Sequence, residues 1–159
     1  MEIVIRRAVL ADYEHLCRLW DEVDRLHRQH LPHIYRRPEG PVREWEYFAG
    51  LLADENDGLF LVELAGELVG FIHVLVAQAR ELPLLVPRRF AVIDNLVVTE
   101  HARRQGIGGL LMEQAEGWAR EHGLMTIELT VYEFNQGAIA LYEKTGYATL
   151  LRRMIKSLN

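Results

Sequence analysis

Residues 97–109 read Val97-Val98-Thr99-Glu100-His101-Ala102-Arg103-Arg104-Gln105-Gly106-Ile107-Gly108-Gly109, and their interpretation decides the fold. The apolar run Phe90–Val98 predicts a strand and Thr99–Arg104 a polar turn; Leu110, Leu111, Gln114, Ala115 and Trp118 then recur on one face of a helix closed by Gly123. A strand that turns through glycines into a helix aims several backbone N–H groups at one point, where the helix dipole favours an anion. Gly106 and Gly108 have no side chain to hold a pyrophosphate off the backbone, and Arg103 and Arg104 bring positive charge to the rim. The same glycines would also serve a plain strand-to-helix turn that binds nothing, so the loop alone leaves two readings. Two other glycine motifs fail. Gly108-Gly109-Leu110 lacks the Lys-Ser/Thr of a Walker loop, and Leu111 stands where a dinucleotide fingerprint needs Gly or Ala.

On the N-terminal side, Glu2–Arg6 predicts a strand, followed by a helix with Asp12 as its cap and Leu16, Leu19, Trp20, Val23 and Leu26 at helical spacing. Residues 27–41 hold three prolines, Pro32, Pro38 and Pro41, and predict an exposed loop or a broken helix pair before a second helix over Arg43–Ala53. Gly58–Ala65 and Glu67–Gln78 read as a hairpin turning at Ala65-Gly66-Glu67. On the C-terminal side come a strand over Thr126–Tyr132, a short helix capped by Asn135 and closed by Gly146, and a last strand over Tyr147–Met154. Strands and helices interleave in this half, which predicts an α/β sheet with helices on both faces.

With 159 residues the chain reads as one domain, residues 1–159. Its 18 Lys+Arg against 23 Asp+Glu give a net charge of −5, so no overall basic field draws it to nucleic acid or an anionic membrane. Arg88-Arg89 and Arg152-Arg153 lack interleaved aromatics and add no nucleic-acid signature. A cationic or neutral substrate fits the charge better. A single cysteine, Cys17, excludes an intramolecular disulfide framework and a multi-cysteine zinc site. Met1–Arg7 does not read as a signal peptide, and Leu59–Leu64, Leu68–Ala77 and Leu82–Val86 fall well short of a membrane span, so a cytoplasmic protein is expected. His27-x-x-His30-x-x-His33 has a metal-like spacing, but Pro32 interrupts the helix; no metal is expected, and a polar loop lining an acceptor cleft is the plainer reading.

Two motifs together go further. Val97-Val98 leading to Arg103-x-x-Gly106-x-Gly108, then Asn135-x-x-Ala138-x-x-Leu141-Tyr142-x-x-x-Gly146-Tyr147, closely resembles the GNAT superfamily of N-acetyltransferases, strongly over Val92–Met154. The resemblance implies a mixed, strongly twisted sheet of about six to seven strands that splays between the strand ending near Val98 and the one beginning near Thr126. Acetyl-CoA would lie in that splay. Its pyrophosphate would take the amides of Arg104, Gln105, Gly106, Ile107, Gly108 and Gly109, and its pantetheine arm would pair with backbone at Leu96, Val97 and Val98, flanked by Asn135. Tyr142 matches the family's tyrosine that reaches the CoA sulfur, and Asp94 stands where related enzymes often carry an acid near the amine.

Amine attack on a thioester needs a free amine and a way to stabilise the departing thiolate. A lysine-like amine of pKa about 10.4 costs roughly 4.6 kcal/mol to deprotonate at pH 7, and an α-amine about 1 kcal/mol. Asp94, with an ordinary carboxylate pKa, would need burial or an ordered water to serve as base, or would only orient a cationic amine. Glu128 and Glu133 are weaker alternatives. Two functions stay open at this point: acetyl transfer to a primary amine of a small molecule or peptide, or a CoA-binding regulatory or interaction module without turnover. An exposed last strand could also pair across a homodimer.

Overall fold

The computed structural model describes residues 2–159. The predicted hairpin forms the middle of its sheet. Ala65 and Gly66 both adopt positive φ, 51° and 83°, which gives a two-residue loop whose twist suits the strands on either side. Around it five strands lie in sequence order: β1 (Ile3–Arg7), β2 (Asp57–Leu64), β3 (Glu67–Gln78), β4 (Arg89–Val98) and β5 (Ile127–Leu129). β1 to β4 pair antiparallel, and β5 joins β4 in parallel. Among the described residues the α-helices are α1 (Tyr13–His30), α2 (Trp45–Ala53), α3 (Ile107–Glu121) and α4 (Gln136–Lys144).

The central strands are buried on both faces, which is why β2 and β3 read as nearly continuous apolar runs. On one face Leu16, Leu19 and Trp20 of α1 and Phe48 of α2 pack with Leu59, Leu61, Phe71 and Val97. On the other, Ile107, Leu111, Met112, Ala115 and Trp118 of α3 pack with Phe60, Val62, Ile72, Val74 and Ile93. The predicted α/β architecture with helices on both faces is therefore present.

One irregularity in the sheet matters for the site. His73 opposes Asn95 while Val74 opposes Ile93, which leaves Asp94 as an extra residue on β4. This bulge reverses the side-chain alternation: Ala91 and Ile93 face α3, whereas Val97 faces α1 and α2.

Four expectations need correction. Among the described residues the sheet has five strands, not six or seven. The strand expected over Thr126–Tyr132 is only Ile127–Leu129, because β4 beyond Asp94 no longer runs beside it. Tyr147–Met154 is not a strand: its large apolar residues fall next to one another, as in Leu150-Leu151, so neither face of a strand would be wholly apolar. Asp12 sits at the N-terminus of α1 without capping it; its carboxylate instead accepts from the Arg6 guanidinium at 2.8 and 2.9 Å and from the Val9 N–H at 2.8 Å. Among the described residues, no helix is long and apolar enough to cross a membrane.

Candidate active site

β4 and β5 pair only at Ala91–Ile127, Val92–Glu128 and Ile93–Leu129. Among the described residues no strand lies beside the β5-facing edge of β4 from Asp94 to Val98, so the stretch holding Leu96, Val97 and Val98 borders an opening between the two strands. A single tight turn, Glu100–Ala102, carries the chain from β4 to the glycine loop.

The loop has the geometry of an anion cradle. Gly106 stands at the N-terminus of α3 with φ 82°, and Arg104 also takes a positive φ of 63°. The N–H of Leu110 donates to the Gly106 carbonyl at 3.2 Å, while those of Ile107, Gly108 and Gly109 precede any intrahelical acceptor. A Cβ at Gly106 or Gly109 would meet nothing within 4 Å, so the surface of the turn is open there, and with the unpaired amides of the first turn these residues fit a pyrophosphate. A Cβ at Gly108 would lie 2.9 Å from Leu141 Cδ2, so this glycine lets α4 approach the N-terminus of α3. Ile107 is buried and anchors the turn. The two arginines differ. Arg103 folds back, donating from Nε to the Val98 carbonyl at 2.9 Å and from Nη2 to Glu22 at 3.4 Å, so it braces the loop; Arg104 stays exposed. Gln105 donates to the His101 carbonyl at 3.3 Å.

Asn135 caps α4 as expected, its Oδ1 accepting from the Ala138 N–H at 3.2 Å. α4 carries Tyr142, which packs against the α3-side core and lies 6.1 Å, ring to ring, from Tyr147. Burial pushes the Tyr142 phenol above its ordinary pKa, so it stays protonated and able to donate.

Asp94 is half exposed at the mouth of the opening and is held from behind. Its Oδ2 accepts from Asn95 Nδ2 at 2.7 Å and lies 3.4 Å from His73 Nδ1. The opposite ring nitrogen of His73, Nε2, lies 2.6 Å from Asp57 Oδ1. His73 is 2% exposed, a buried histidine between two carboxylates on three adjacent strands. The His73 hydrogen bond holds Asp94 below its ordinary pKa against the opposing effect of burial, and Asn95 and the charge of Arg43 act in the same direction. Burial alone would lower His73, but its bonds to Asp94 and Asp57 outweigh it and raise the pKa. Sequence reading singled out Asp94 and missed His73, because a lone histidine in Phe71-Ile72-His73-Val74-Leu75 reads as core. The available signal was the hairpin: counting back from Ala65-Gly66 brings His73 close to Asp57.

Glu128, the weaker alternative acid, is occupied by Arg88 at 2.7 Å. His27 and His30 belong to an aromatic group: His27 stacks on Tyr35, His30 stacks on Phe134 at 4.2 Å, and Tyr35 and Tyr132 share a hydroxyl hydrogen bond of 2.7 Å. This group ties the end of α1 to the segment between β5 and α4.

Comparison with known proteins agrees with this geometry. The model of the acetyltransferase (GNAT) family matches residues 20–147, and the chain belongs to that family. An uncharacterized N-acetyltransferase of Methanocaldococcus jannaschii is 32% identical over 101 residues, covering 64% of this chain but 43% of its own length. The L-amino acid N-acetyltransferase AaaT of Escherichia coli is 31% identical over 156 residues, covering 92% of this chain and 83% of that protein. Among solved structures, a mutant of the BH1408 protein from Bacillus halodurans superposes with a TM-score of 0.91 at 28% identity, covering 98% of this chain and 99% of that one.

Proposed function

We propose that this GNAT-family protein transfers an acetyl group from acetyl-CoA to a primary amine of a small molecule or peptide. The observation that carries the reading is the coincidence of three features: the β4 edge left open beyond Ile93, the free amides of the α3 N-terminus, and the Asp94 carboxylate at the mouth of the same opening. In this reading the amides of Arg104 to Gly109 hold the pyrophosphate, Leu96, Val97 and Val98 line the pantetheine arm, and Asn135 flanks it. The bound cationic amine first gives one proton to water; the freed nitrogen lone pair then attacks the thioester carbon and the carbon–sulfur bond breaks. Tyr142 donates its hydroxyl hydrogen bond, and then its proton, to the departing sulfur, and the second proton, lost from nitrogen as the amide forms, returns through water to the Tyr142 phenolate.

Asp94 binds the acceptor rather than deprotonating it. A general base works best with a pKa near the working pH, and His73 pulls Asp94 the other way. A carboxylate kept ionised instead attracts a cationic amine, in line with the name of the E. coli relative, whose L-amino acid acceptors carry an α-amine. A homodimer is part of the proposal, supported by Leu150, Leu151, Met154, Ile155 and Leu158, which are 71–89% exposed; a monomeric mass by light scattering at micromolar concentration would refute it. The central test is thiol release from acetyl-CoA across a panel of amines and peptides, beside calorimetry with CoA. Turnover with at least one amine is expected. CoA binding with no turnover on any acceptor would favour the regulatory-module reading.

A further inference from the structure

Asp57, His73 and Asp94 lie on the same sheet face as Leu59, Phe71 and Val97, the face that α1 and α2 cover. They form a row across β2, β3 and β4. Asp94 follows Ile93, which faces α3, so plain alternation turns it to the other face beside His73; the bulge at Asp94 then keeps Val97 on that same face. The two groups that face the imidazole are both carboxylates. An ionised carboxylate only accepts hydrogen bonds, so a neutral ring would aim one lone pair at a negative oxygen. Both ring nitrogens are satisfied only when both carry protons. The row then holds two negative charges and one positive, so the histidine is buried with its charge compensated.

We propose that His73 is a positioning residue for the acceptor amine: an imidazolium clamped between Asp57 and Asp94 that fixes the Asp94 carboxylate with one oxygen turned inward and the other left for the substrate. Oδ2 is the inward atom, shared by Asn95 and His73, and among the described residues no hydrogen bond reaches Oδ1. The clamp also sets the charge of Asp94 across the working pH range. From the helical side, Arg43, just before α2, favours the anion, and Tyr47 on α2 is the neighbouring titratable group. Asp57 lies at the beginning of β2, and its hold on His73 Nε2 prevents the ring from turning away from Asp94.

This inference rests on Asp94 receiving the acceptor, and its test separates the two ideas. In His73→Gln the ring and its charge are lost, so Asp94 titrates at higher pH. The acid limb of kcat/KM for the amine should move upward by about one pH unit, the shift that corresponds to a tenfold change in protonation equilibrium. Acceptor KM should rise about 10- to 100-fold, as for a misplaced binding group, with acetyl-CoA KM unchanged. Asp57→Asn keeps the ring but removes one of its two anions. It should shift the limb in the same direction by less, and it carries the test if His73→Gln does not fold. A lowered melting temperature with the acid limb unmoved, in whichever variant folds, would make His73 purely structural and overturn the proposal. Asp94→Asn reports on the reading beneath it: wild-type acceptor KM there would remove Asp94 from the site, whereas a raised KM there with an unmoved limb in the clamp variants would defeat the clamp alone.

Discussion

Tyr142 illustrates how burial makes a side chain useful. Its phenol packs against the α3-side core, and burial disfavours the phenolate, so the hydroxyl remains a donor throughout the neutral range. A departing CoA thiolate, as a thiol of pKa near 8.5, is the weaker base, so full proton transfer from an ordinary phenol is uphill by roughly 2 kcal/mol and hydrogen bonding comes first. The raised phenol pKa increases that difference. Tyr142→Phe removes the donor and keeps the ring, so kcat should fall by about 10- to 10³-fold with little change in CoA affinity. Steady-state rates with the best acceptor, paired with calorimetry, check both parts; unchanged kcat would exclude Tyr142 from the reaction. Tyr142 stands out in the sequence as a candidate because it sits at a fixed offset from Asn135 and Gly146, within a motif made of neighbours. His73 was not legible in the same way, since its meaning depends on Asp57 and Asp94, which three strands bring together.

Among the elements, the passage from β4 into α3 depends on conformation more than on side-chain chemistry. The notable residue is Gly106, whose φ of 82° costs an L-residue about 1–2 kcal/mol, so a side chain there strains the turn that presents the amides of Ile107, Gly108 and Gly109. Gly106→Val should therefore raise the CoA dissociation constant by about tenfold or more, the equivalent of 1.4 kcal/mol. Calorimetric titration with CoA measures this, and an unchanged constant would contradict the cradle. The elements that the sequence displayed most clearly were those with a local cause: the Ala65-Gly66 hairpin, the Asn135 cap and the glycine loop. The ends of β5 and the missing last strand had no such cause. β5 stops because a bulge in β4 turns its neighbour away, and a bulge caused by one extra residue leaves no periodic trace. Arg103 shows the same limit: its charge was readable, but its turn back onto the Val98 carbonyl depended on the packed loop.

At the scale of the whole molecule, the net charge of −5 describes neither the glycine loop at the N-terminus of α3 nor the ion pairs that join distant parts of the chain. Arg6 on β1 donates to Asp12 before α1 and to Glu63 on β2 at 2.8 Å, so one guanidinium ties the first strand to its neighbour and to the entry of the first helix. The Arg6 hydrogen bond holds Asp12 below its ordinary pKa, overcoming the effect of burial, with help from the Val9 N–H. A carboxylate whose folded pKa is depressed adds stability that is present above its unfolded pKa, about 3.9, and is lost as pH falls through the folded value. His73 runs the other way: its raised pKa adds stability that is fully present below about 6.5, the unfolded value, and fades as pH rises through the folded value. Folding stability should therefore fall off below about pH 4. Denaturant melts of the wild type and Asp12→Asn across the acid range test this directly. Their stability difference should be largest near neutrality, constant down to about pH 4, and should shrink below it as Asp12 takes up its proton. A difference that stays constant through the acid range would show that Asp12 contributes by shape alone and that its pairing with Arg6 adds nothing to the fold.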